Sequence, residues 1–279
     1  MPGISKPQVT LILIVLVFSS FVSFGKTGIK GLPDEKNFPS LLSNAANSPV
    51  LKRTADSIYD LIGLGDYGLE RDVFFKAYKG YQYLENRGMI RKTNLITICD
   101  YSQSSNNKRL YVVDLLNSRL LFNTFVSHGK NSGNEFATSF SNYDNSNKSS
   151  LGFLITGDTY NGKAGFCMRL NGMEQGINDR VKSRGIVLHG SRFVNEDIMS
   201  SKGLIGRSLG CPAVPYGMHF KIINVIKGGS CLFINSPDQW YANNSTILNS
   251  HFDLAPSLQL QNGANTNTDN GYLSTATVK

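Results

Sequence analysis

Two short stretches hold the residues best suited to covalent chemistry. In Ile186-Val187-Leu188-His189-Gly190 an apolar, strand-like run delivers a histidine at its end. In Gly206-Arg207-Ser208-Leu209-Gly210-Cys211-Pro212 a cysteine sits in a turn-like setting, where a thiol has little packing to do. His189 and Cys211 lie 22 positions apart, a loop length that can fold back and bring the two side chains together. A free thiol has a pKa near ~8.5 and reacts as the thiolate, so it needs a neighbouring base or cation. An imidazole is the natural partner. Gly190 and Gly210 permit close approach of a substrate, and the backbone N–H groups of Gly210 and Cys211 can point at a developing oxyanion. No acidic residue is obviously placed to orient the imidazole, which leaves a backbone carbonyl for that role.

Competing sets are weaker. Gly206-x-Ser208-x-Gly210 fits the G-x-S-x-G nucleophile turn of α/β-hydrolases, with Asp238 and His251 following in order. That motif needs a strand before it and a helix directly after, and here Cys211-Pro212 follows instead. Ser105-x-x-Lys108, Ser132-Gly133-Asn134 and Lys227-Gly228-Gly229 imitate the three motifs of a serine peptidase. The first, however, reads as a turn rather than a helix start, and the third lacks its Thr. His128-Gly129 is a second His-Gly pair at a strand end, read either as a groove residue or as a hydrogen-bonded turn histidine. Cys99, Cys167 and Cys231 sit in apolar text and read as small buried residues, or as one disulfide among them in an exported chain. No CxxC pair and no His at zinc-ligand spacing accompanies them, so neither a metal nor a cofactor is expected.

The elements that must position these groups follow from periodicity. From about Lys52 to Gly88 the pattern is helical, with Val73, Phe74, Ala77, Tyr78, Tyr81 and Leu84 on one face and Gly88 as a stop. Short β-branched and aromatic runs at 94–100, 109–114 and 119–126, separated by turn residues, predict a meander. Residues 131–150 are rich in Ser and Asn and read as a long loop. Further strands are expected at 151–156, 164–170, 185–189 and 231–235, with a helix over 218–227 ending at Gly228-Gly229. Past Pro237 the chain is polar, and 237–279 reads as a poorly ordered tail. The domain reading is therefore a signal segment at 1–25, a linker at 26–48, a helical segment at 49–92 packed on the main domain at 93–236, and the tail.

The 279 residues are 41% hydrophobic and only 17% charged, with 27 glycines, which suits a turn-rich, mainly β exported domain. Net charge is +8, but the basic residues are scattered and form no nucleic-acid arm. Lys6, the apolar run Val9 to Phe24 and the small residues Ser23 and Gly25 describe a secretory signal, with no membrane domain once it is cut.

His189-Gly190 followed by Ser208-x-Gly210-Cys211 resembles the signature of murein L,D-transpeptidase catalytic domains. Leu209 stands where that motif has a second His, and Pro212-Ala213 where it has an aliphatic residue and Arg. This GRSxGCPA form resembles a distinct branch of the family, which also carries text like RLYVVDL, VSHGKNSG and RLNGMEQGIND, so the likeness spans roughly residues 50–236. It implies an α+β, mainly β, sandwich-like domain with short helices. It also implies acyl transfer on peptidoglycan stem peptides in the periplasm, with Cys211 as nucleophile and His189 as base. Release of D-alanine and formation of 3-3 crosslinks would follow; with water as acceptor the same site would be an L,D-carboxypeptidase, and without turnover a wall-binding domain. Arg207 is the first choice to replace the motif's Arg, ahead of Arg169 and Arg184. Gly190, His128 and Asn178, with Tyr160 and Asn171, are expected to shape the substrate groove.

Overall fold

The computed structural model describes residues 49–252. The expected signal segment and linker, and the tail beyond residue 252, lie outside the described residues.

The helical stretch is two helices, α1 (Pro49–Ile62) and α2 (Arg71–Asn86), joined by a 3-10 turn at Leu64–Tyr67. One continuous helix is prevented by Gly63 and Gly68, which take left-handed φ values of 69° and 81°, a region glycine enters without steric cost. The apolar stripe of α2 is buried as its spacing predicts, with Phe74, Ala77, Tyr81 and Leu84 nearly inaccessible. Gly80 lets the helix press on the sheet: a Cβ there would lie 2.0 Å from the Phe153 ring.

Eight strands follow: β1 (Leu95–Asp100), β2 (Leu110–Asp114), β3 (Arg119–Thr124), β4 (Gly152–Gly162), β5 (Gly165–Gly172), β6 (Val187–Ser191), β7 (Ala213–Pro215) and β8 (Cys231–Asn235). They form one sheet in the order β3-β2-β1-β8-β4-β5-β6-β7. β1, β2 and β8 are buried along their whole length, as their unbroken apolar text requires of strands covered on both faces. The two edges of the sheet meet, because the chain leaving β3 bridges β7 through Ser127 and Ala213. The sheet thus curls over one main core, with a smaller apolar cluster of Phe125, Val194, Ile205 and Ala213, into a sandwich-like, mainly β α+β domain that leaves little open edge. Among the described residues no helix is long and apolar enough to cross a membrane.

Three further helices complete the domain: α3 (Glu196–Lys202), α4 (Tyr216–Ile226) and α5 (Gln239–Asn244). Residues 131–150 form neither helix nor strand. Past Pro237 the polar text hides order: Asp238 caps α5 by accepting from the Tyr241 N–H at 2.8 Å, and Tyr241, Ile247, Leu248 and Phe252 join the core. All four cysteines are free, and Cys99, Cys167 and Cys231 are buried.

Candidate active site

Strand β6 begins two residues later than its sequence text suggests, so His189 lies mid-strand rather than at the strand's end. It pairs with Cys167 of β5 on one side and Ala213 of β7 on the other. Its backbone N–H faces the carbonyl of Pro212 at 3.4 Å, which sets the His189 backbone beside that of the cysteine turn. The ring's Nδ1 donates to the Gly190 carbonyl at 2.9 Å. That bond leaves Nε2 as the nitrogen with an open lone pair, and it is the backbone carbonyl that orients the ring. Gly190 is required where it stands, since a Cβ would meet the His219 ring of α4 at 2.6 Å.

Cys211 enters β7 from a tight turn. Its sulfur accepts from the Val187 N–H at 3.4 Å, and its S–H points to the Gly185 carbonyl at 3.9 Å. The thiol therefore lies along β6, on the stretch that runs into His189. Burial pushes its pKa up, while the Val187 N–H and, more weakly, Arg184 draw it back. The resting group is a neutral thiol, which makes a nearby base necessary for nucleophilic attack.

The turn is fixed from several directions. Ser208 donates its hydroxyl hydrogen to the Cys211 carbonyl at 2.6 Å and accepts from the Gly210 N–H at 3.1 Å. The Gly210 N–H is thus committed to the turn and is not a free oxyanion donor, a correction to the sequence reading. Ser208 is a brace rather than a nucleophile, and no strand precedes it as a hydrolase elbow would need. Gly210 itself has φ 123° and packs so that a Cβ would sit 2.8 Å from the Lys148 carbonyl. From behind, the Ser208 N–H donates to the His128 carbonyl at 2.9 Å and Gly129 bridges Ser208. Ser149 links the two, accepting from the Gly129 N–H and donating to the Gly210 carbonyl.

Two expected groove residues are corrected. His128 is fully buried and accepts from Arg109 through Nδ1 at 2.8 Å, while its Nε2–H faces the Gly133 carbonyl. Burial first, then the Arg109 charge, lowers its pKa to about 4. Asn178 is also fully buried: it donates to the carbonyls of Leu151 and Phe153 and accepts from the Glu174 N–H. Both hold backbone rather than face solvent. Tyr160 carries Arg169 stacked 4.3 Å above its ring, and Asn171 donates to the Ile155 carbonyl.

Of the three arginines considered, Arg184 is the one electrostatically coupled to the thiol. Its guanidinium donates to the carbonyls of Ser141 and Lys148 and to the hydroxyls of Ser146 and Ser150, stitching the 131–150 loop to the residue beside Gly185. Arg207, favoured by its place in the motif, is exposed and donates to the Gly133 carbonyl at 3.0 Å. Ser149 gave no signal at all within Ser/Asn-rich text. Among the described residues no group of three or more His, Cys, Asp or Glu is placed to hold a metal ion.

Residues 66–235 match the family model described as the L,D-transpeptidase catalytic domain. The chain belongs to that family. No curated protein matches it. Solved structures similar to this L,D-transpeptidase domain include the helical cell shape determining protein of Campylobacter jejuni, at 14% identity and TM-score 0.35 over 66% of this chain and 58% of that one. An L,D-transpeptidase from Mycobacterium smegmatis matches at 11% identity and TM-score 0.32, over 51% and 59%. Another from Mycobacterium tuberculosis matches at 12% and 0.34, over 51% and 58%. The chain thus spans less than two thirds of the length of these proteins.

Proposed function

We propose that this domain is a cysteine acyltransferase of peptidoglycan stem peptides, acting outside the cytoplasm after export by its N-terminal signal. The observation that supports the reading is the placing of both residues along β6. The Cys211 sulfur lies on the Val187 N–H, and His189, two residues on, has Nδ1 tied to a carbonyl and Nε2 left to take a proton.

In the first half-reaction His189 Nε2 removes the Cys211 proton and the sulfur attacks the carbonyl of the L-centred diamino acid in the stem. The S–C bond forms, the C–N bond to the terminal D-alanine breaks, and the imidazolium returns its proton to the leaving amine. An amine from a second stem then attacks the thioester, regenerating the thiol and leaving a 3-3 crosslink. The Cys211 N–H is the backbone donor beside the sulfur for the developing oxyanion, since Gly210 is spent on Ser208. Arg184 takes the place of the motif's missing Arg as the fixed cation near the thiol.

Incubation of the protein with murein tetrapeptide fragments, read by mass, tests this. Loss of D-alanine or a 3-3 dimer is expected from wild type, none from Cys211→Ala, and a reduced yield from Ser208→Ala. Water as acceptor would give the shortened stem alone. Activity that survives Cys211→Ala would sink the thiol mechanism, and murein binding without turnover by wild type would leave a wall-binding domain.

A further inference from the structure

A cleft of about 620 Å³ is lined in part by the 131–150 loop. It shares a wall with the active site. Arg184 grips the Ser141 and Lys148 carbonyls of two cleft residues, and the same Lys148 carbonyl packs against Gly210. The floor is apolar, with Phe140 half-buried and Leu151 and Ile177 buried. Two aromatic rings stand at the cleft with most of their surface in solvent: Tyr143 is 75% exposed and Trp240 is 59% exposed. Aromatic side chains normally gain their stability by burial, so two bare rings flanking one cleft are a ligand-facing arrangement.

The charges of the cleft decide what kind of ligand. Lys148 and Arg180 are balanced by Asp179 and Asp238, and each is already used within the protein. Lys148 donates to Ser139 Oγ, Arg180 pairs with Asp144, Asp179 accepts from the Gly176 N–H and Asn142, and Asp238 caps α5. With two cations and two carboxylates in its lining, the cleft offers no net charge to draw a stem peptide bearing carboxylates. Neutral pyranose rings fit better, since they present C–H faces to aromatic rings and hydroxyl or acetamide groups to an amide side chain such as Gln175.

We propose that this cleft is a saccharide subsite that holds the glycan strand, a β-1,4-linked chain of N-acetylated amino sugars, while a stem peptide carried by that strand reaches the thiol. The inference rests on the murein reading above and adds to it where the sugar lies. Holding the strand would position the stem without consuming any interaction made only at the reacting carbonyl, so it acts on KM more than on kcat.

Trp240 is the chain's single tryptophan, so its emission reports on this cleft alone. The test titrates the full chain with chitotetraose and follows that emission. A saturable change is expected, with affinity reduced about tenfold in Tyr143→Ala and unaltered in Leu116→Ala, an exposed site elsewhere. Absence of a saturable response, equal affinity in Tyr143→Ala, or the same response to a free stem tetrapeptide without sugar would overturn the proposal. Turnover read beside it separates the two claims. Binding of chitotetraose by a protein without turnover leaves the subsite standing and the acyltransferase reading fallen. Turnover with KM for glycan-linked stems unchanged by Trp240→Ala does the reverse.

Discussion

At the scale of single residues, the two His-Gly pairs show how one motif serves two ends. His189 keeps one ring nitrogen open, whereas His128 spends both, one on Arg109 and one on Gly133. Arg109 is fully buried, stacks 4.8 Å from the Tyr101 ring and donates to the carbonyls of Val126 and Gln103, so its charge is desolvated yet satisfied. A proton on His128 would face that charge directly. With a folded pKa of about 4 against ~6.5 unfolded, the unfolded chain binds the extra proton between those values. The stability contributed by neutral His128 is whole above about pH 6.5 and is lost as pH falls toward 4, up to about 3 kcal/mol. His128→Gln keeps an acceptor and a donor without titrating, so the stability gap between wild type and variant should narrow by that amount from pH 7 to pH 4 in urea melts. A constant gap would mean that His128 is neither desolvated nor facing the Arg109 charge. Cys211 and His189 stand out as candidates from types and spacing alone. The roles of His128, Arg184 and Gly210 do not, because they depend on which strand edge the second His-Gly pair joins.

At the scale of elements, alternation and run length located most strands, since β1, β2 and β8 are buried and their text is unbroken. β7 escaped because three residues give no period, and α5 because its order comes from a cap and one buried tyrosine. The register of β6 also escaped, although it decides where His189 sits. The break between α1 and α2 was written in Gly63 and Gly68 but hidden by the apolar spacing on either side. Gly80 makes a sharper test of how α2 meets the sheet. On helix propensity alone Gly80→Ala should gain about 1 kcal/mol. The new methyl, however, would fall into the Phe153 ring, which is fully buried and stacked on Phe233 at 4.4 Å. Overpacking of about 1–3 kcal/mol outweighs the gain, so the urea midpoint of Gly80→Ala should drop. A rise would place α2 farther from β4 than the close contact described.

At the scale of the whole domain, the catalytic sheet is closed by chain that reads as tail. Glu174, between β5 and β6, is fully buried; it accepts from the Phe153 N–H at 2.8 Å and from the Tyr241 hydroxyl at 3.1 Å, and Ser245 also donates to it. Burial raises its pKa despite those donors. The stability this adds is complete below the unfolded value near ~4.3 and drains as pH climbs through the raised one, opposite in sign to His128. From there the chain runs to α2, where Lys79 donates to the Leu248 carbonyl at 2.5 Å and Phe252 meets Tyr83 edge-on at 5.6 Å. Residues 238–252 therefore tie the loop before β6 to the helix that covers β1 and β8. A chain stopped after Ser236 would lose four buried apolar side chains, each contributing about 1.5–3 kcal/mol, and would strand the Glu174 carboxyl with one donor. That loss is comparable with the whole stability of a domain this size, about 5–15 kcal/mol, so the shortened chain should show no cooperative thermal transition. Tyr241→Phe, which removes only the hydroxyl, should still fold and lose about 1–3 kcal/mol, with the loss greatest where Glu174 is ionised. A shortened chain that melts sharply near the wild-type temperature would mean that this segment rests on the domain without holding it together.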